Sequence, residues 1–115
     1  MDYQFEEIED VLKIVVDGRL VAACSEEFKD AISKRLPERQ KVLFDLSKMD
    51  HIDSSGLGAL VFLLQRAIDN NGTIKLACLQ ERPRMVFDIT KVYRVFEIFD
   101  SVESGLKSFS QHGES

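Results

Sequence analysis

The pattern of apolar and polar positions divides the chain into short alternating elements. Tyr3–Ile8 is the first strand candidate, and "VLKIVV" at Val11–Val16 is the second, dominated by β-branched residues. Glu9–Asp10 between them and Asp17–Gly18 after them carry turn chemistry, so a meander of short strands should open the fold, with Leu20–Ala22 open as its continuation. In "SEEFKDAISKRL", Phe28, Ala31, Ile32 and Leu36 fall on one helix face, Ser25 is placed to cap the start and Pro37 to end it. "KVLFDLS" at Lys41–Ser47 is apolar enough for a central strand. Ser55–Asp69 predicts a second helix closed by "NNG" at Asn70–Gly72, and Thr73–Leu79 a further strand. A third helix is expected over Arg84–Ile89 with Pro83 near its first turn, and Val95–Phe99 as a short extended segment. Ser101 should cap a last helix reaching about Phe109, leaving "QHGES" as a frayed tail. This order predicts an α/β fold, a mixed sheet with about four helices packed on it, in one domain over 1–110 with a flexible tail at 111–115.

Composition narrows the function. The 115 residues are 44% hydrophobic and 30% charged, which permits a compact core. A net charge of −5 with scattered cations argues against nucleic acid or an anionic membrane as partner. No apolar run approaches the ~20 residues of a membrane span, and the acidic start "MDYQFEEIED" is unlike a signal peptide, so a cytoplasmic location is expected. Cys24 and Cys78 are far apart without a CxxC pattern and read as reduced, mostly buried residues, with one disulfide or a reactive thiol as alternatives. His51 and His112 are the only histidines, so neither a metal site nor a cofactor is expected.

The candidate chemistry lies in "DHIDSSGLGAL", Asp50–Leu60. A strand ending near Leu46 and a helix starting near Ser55 would place it at the carboxyl edge of the sheet, where functional groups gather in open α/β folds. The plainest role for Ser54 or Ser55 is the helix N-cap. A hydrolase using either serine with His51 fits poorly, because no glycine precedes the serine by two positions and no third partner is evident. A phosphate-binding loop lacks its lysine, and Gly56-x-Gly58 lacks the third glycine of a dinucleotide fingerprint. Along the helix, Leu57, Leu60, Val61, Leu64 and Ile68 form one apolar stripe. Ala59, Phe62 and Leu63 point away from it, which suggests either a partner surface or contact with a neighbouring helix.

"VLFDLSKMDHIDSSGLGALVFLLQRA" resembles the signature of the STAS domain family, the bacterial anti-sigma factor antagonists: a strand ending in D-L-S, then D-S-S-G-L-G entering a helix. "GTIKLACL" and "RMVFDITKVYRVFEIFDSVESGLKSF" continue the likeness over nearly the whole chain. The resemblance implies a non-enzymatic binding module whose serine after the aspartate is phosphorylated by a partner that is both anti-sigma factor and serine kinase. Here Asp53 matches that aspartate, Ser54 the acceptor, Ser55, Gly56, Leu57 and Gly58 the rest of the motif, and Asp45 the strand-end aspartate. With Ala59 and Phe62 on the same helix, Asp53, Ser55, Gly56 and Leu57 are the expected partner-binding residues around phosphorylated Ser54. The unphosphorylated form would bind the kinase and free a sigma factor, and a serine phosphatase would restore it. The alternative within the family is an unmodified scaffold or subunit of a lipid- or anion-transport assembly. Val21 and Cys24 depart from the family pattern, which commonly has an aspartate and a threonine there.

Overall fold

The computed structural model describes residues 1–36 and 40–112. Strands β1 (Asp2–Ile8) and β2 (Val11–Leu20) open the chain, followed by α1 (Ala22–Ser33), β3 (Lys41–Ile52) and α2 (Ser54–Asp69). Then come β4 (Thr73–Ala77), α3 (Glu81–Thr90), a 3-10 turn at Val92–Arg94, β5 (Ile98–Phe99) and α4 (Val102–His112). The strands form one sheet in chain order, β1 antiparallel to β2 and the other neighbours parallel. The mixed α/β architecture expected from the pattern is therefore present. Pro37, the anticipated helix stop, lies outside the described residues, as do 113–115 of the anticipated tail; α4 itself continues to His112.

Topology decides which face each helix covers. The parallel steps β2–α1–β3, β3–α2–β4 and β4–α3–β5 all move the same way across the sheet, and right-handed crossovers place their helices on one face. Alternate strand residues point to that face. Leu12, Ile14, Val16, Val42, Phe44, Leu46, Ile74 and Leu76 share a core there with Phe28 and Ile32 of α1, Leu60 and Leu63 of α2, and Phe87 of α3. On the other face Val11, Leu43 and Ala77 meet Phe109 of α4. Lys75 is also buried under α4, donating to Ser108 Oγ at 2.9 Å and pairing with Glu97 at 3.5 Å.

Bounds differ from expectation at several ends, with α1 closing at Ser33, β4 at Ala77 and α3 opening at Glu81, and three differences around β2, α1 and β3 have a tertiary reason. Asp17–Gly18 is not a turn: β2 runs through it to Leu20, with Gly18 at φ 106° taking up an irregularity in the β2–β3 register. β3 continues past Ser47 to Ile52, because Lys48–Ile52 pair with Asp17–Leu20. α1 starts at Ala22, so Ser25 lies inside it, buried, with its hydroxyl donating to the Ala22 carbonyl at 3.5 Å.

Candidate functional site

Where β3 hands over to α2, the backbone turns sharply against the end of β2. The Asp53 N–H donates to the Leu20 carbonyl at 3.3 Å, and α2 begins at the next residue. Gly56, in the first turn of α2, presses on Leu20: an added Cβ there would overlap the Leu20 carbonyl oxygen and stand 2.9 Å from its carbonyl carbon and Cγ. Two residues on, a Cβ at Gly58 would meet nothing within 4 Å. The two glycines of one motif thus have different causes. Gly56 lets the helix sit on the sheet, and Gly58 leaves a flat spot on the surface.

The helix cap is Asp53, not Ser54 or Ser55. Asp53 Oδ1 accepts from the Gly56 N–H at 2.9 Å, freeing both serines to stand exposed in the first turn. Asp53 Oδ2 accepts from the Ala22 N–H at 3.0 Å, so the same carboxylate also holds the start of α1. The Gly56 amide and then the Ala22 and Ser55 amides and nearby His51 lower the Asp53 pKa, against a weaker opposing pull from desolvation. Because the folded state favours the ionised carboxylate, its contribution to stability is complete above the ordinary aspartate pKa and is lost as pH falls through the folded value. Asp53→Ala should therefore cost about 1–2 kcal/mol at neutral pH, as lost caps do. The difference in urea midpoint between the two proteins should begin to shrink near the ordinary aspartate pKa of about 3.9 and close only below the lowered folded value; a gap that persists in strong acid would show that something other than the carboxylate holds the cap.

Asp45 has a separate task. Its Oδ1 accepts from the Ser47 N–H at 3.0 Å, next to a register shift in the β2–β3 ladder. The carboxylate satisfies an amide in the irregular stretch that aims the end of β3 toward α2. It is not a strand-end residue, since β3 runs to Ile52.

The outward face of α2 differs from the expected one. Ala59 and Leu63 follow the second alternative, contact with a neighbouring helix, and not a partner surface: they are 5% and 0% exposed, while Ile68 of the predicted stripe is 50% exposed. α1 packs along the side of α2 as well as the sheet beneath it, so the buried arc is wider and turned toward Ala59. Ala59 thus offers a partner almost no surface, and Leu57 and Gly56 are likewise buried. Phe62 is 44% exposed, with Lys29 Nζ from α1 4.6 Å from its ring centre. Lys29 is in turn held by Glu26 at 3.1 Å. Ser54, Gly58 and Phe62, four residues apart, line one solvent-facing stripe. Sequence reasoning missed Leu20, Ala22 and Lys29, all brought to α2 by tertiary contact.

A short acidic cap, an outward serine pair and a glycine wedged on the preceding strand are the features that the D-S-S-G-L-G resemblance would need. The STAS domain model matches residues 2–105. The chain belongs to the STAS domain family. This STAS domain is 29% identical over 87 residues to a STAS-domain containing protein of Pseudomonas aeruginosa, covering 76% of this chain and 86% of that one. It superposes on an anti-sigma-factor antagonist (STAS) domain protein from Planctomyces limnophilus with a TM-score of 0.85 at 20% identity, covering 96% and 99% of the two chains. The anti-sigma factor antagonist SpoIIAA in its unphosphorylated form gives 0.79 at 16% identity, over 96% and 97%. Proteins of this family are regulatory and scaffolding modules, not catalysts. Among the described residues no group of three His, Cys, Asp or Glu side chains could hold a metal ion, and no helix is long and apolar enough to cross a membrane.

Proposed function

We propose that this STAS domain is an anti-sigma factor antagonist switched by phosphorylation of Ser54. In its unmodified form it binds an anti-sigma factor that is also a serine kinase, releasing a sigma factor in the cytoplasm. A serine phosphatase returns the phosphorylated form to use. The observation that carries this reading is the exposed Ser54 in the first turn of α2, uncommitted to capping because Asp53 does that work. A phosphate there gains from the helix dipole and from first-turn N–H groups, so the fold tolerates it. The same charge beside Asp53 opposes an apolar or acidic partner surface laid over Ser54, Gly58 and Phe62. The structural relative SpoIIAA is an anti-sigma factor antagonist described in its unphosphorylated form. Of the residues expected at the interface, Asp53, Ser55 and Phe62 are open to solvent at least in part, while Gly56, Leu57 and Ala59 are buried beneath them.

Phosphorylation by the cognate anti-sigma kinase followed by mass spectrometry tests the acceptor. Phosphate should map to Ser54, and Ser54→Ala should take up none. Phosphate found only on Ser55 would overturn the assignment.

A further inference from the structure

One carboxylate caps two helices. The Asp53 side chain reaches the Gly56 N–H through one oxygen and the Ala22 N–H through the other, the second across 31 residues of sequence. α1 has no substitute: Val21 at its N-cap position makes no side-chain bond, and its first turn contains no acidic residue. Ser54 is the next residue after Asp53 and is exposed.

We infer, resting on the reading of Ser54 as the modified residue, that Asp53 is the positioning residue that carries modification of Ser54 to the first turn of α1. A phosphate brings about −1.5 to −2 charges and three strong acceptor oxygens to the turn whose amide Asp53 occupies. It competes for that donor and repels the carboxylate. Because both carboxylate oxygens are engaged, Asp53 cannot yield at α2 without also moving at α1. The bond lost is a charge-assisted one, the stronger kind. Ala22 and Ala23, both exposed at the start of α1, then loosen together with the surface around Ser54. A partner reading α1 and α2 as one rigid surface meets two changes, a new charge and a freed helix start.

The test uses the full chain with phosphoserine built in at position 54, so no kinase is needed, and follows amide hydrogen exchange by NMR at neutral pH. Asp53→Ser is the reference for a lost α1 cap: serine is a preferred N-cap for α2, but its single oxygen cannot bridge to Ala22. The Ala22 amide should exchange at least about tenfold faster in both proteins than in the unmodified one, with the Phe44 amide in the core strand unchanged. An Ala22 rate in the phosphoserine protein equal to the unmodified rate would overturn the inference, as would an unchanged rate in Asp53→Ser. Loss of Ala22 protection with undiminished partner binding would support this coupling while overturning the switch proposed above, so the two can fail separately.

Discussion

Gly56→Ala should destabilise the protein by about 2–3 kcal/mol, whereas Gly58→Ala should stabilise it by about 0.5–1 kcal/mol. The first substitution drives a methyl group into the Leu20 carbonyl, and backbone cannot swing aside as a flexible side chain would. Either the start of α2 lifts from β2 or the end of β2 yields, and both moves strain the Asp53 N–H bond to the Leu20 carbonyl. At Gly58 the new methyl meets no neighbour, so only the gain in helix propensity remains. Chemical denaturation of both variants measures the pair. Similar effects of the same sign would mean that the packing of α2 on Leu20 does not decide stability here. Gly58→Ala also fills the flat spot beside Ser54, so its effect on complex formation need not follow its effect on stability.

Phe62→Ala should leave thermal stability nearly intact yet weaken the complex with the proposed anti-sigma kinase by about 2 kcal/mol, roughly thirtyfold. A fully buried phenylalanine would lose about 3–5 kcal/mol of stability through the cavity it left. Phe62 is 44% exposed and its principal polar neighbour is the Lys29 ammonium, so little packing is lost. The Lys29 ammonium over the ring, itself paired with Glu26, restrains Phe62 before any partner arrives, which limits the entropy lost on binding. Thermal melts and binding measured on the same protein separate the two roles. A large fall in melting temperature would return Phe62 to the core.

The elements with strong periodicity were legible because local pattern and tertiary burial agree. β-branched residues mark β2, and Phe28 and Ile32 of the apolar face predicted for α1 are fully buried. What escaped was long-range. Asp17–Gly18 has turn chemistry, but β3 supplies a parallel partner there, so the glycine's positive φ serves a strand irregularity. Ser25 is a good cap in isolation, yet the N-cap position of α1 is four residues earlier at Val21, and Asp53 beyond the end of β3 accepts from the first helical amide, Ala22. The serines of D-S-S-G are left free by a different, local bond, the Gly56 N–H donating to Asp53, since aspartate caps as well as serine does. The pattern alone does not decide between a partner surface and a neighbouring helix for Ala59 and Leu63; α1 beside α2 and the sheet below bury two adjoining faces, which decides it.

Calorimetric titration of the anti-sigma kinase with unmodified and Ser54-phosphorylated protein is the most direct test of the switch. The unmodified domain should bind, and the phosphorylated domain should bind at least about 100-fold more weakly, a difference of about 2.7 kcal/mol. Equal affinities of the two forms would contradict it.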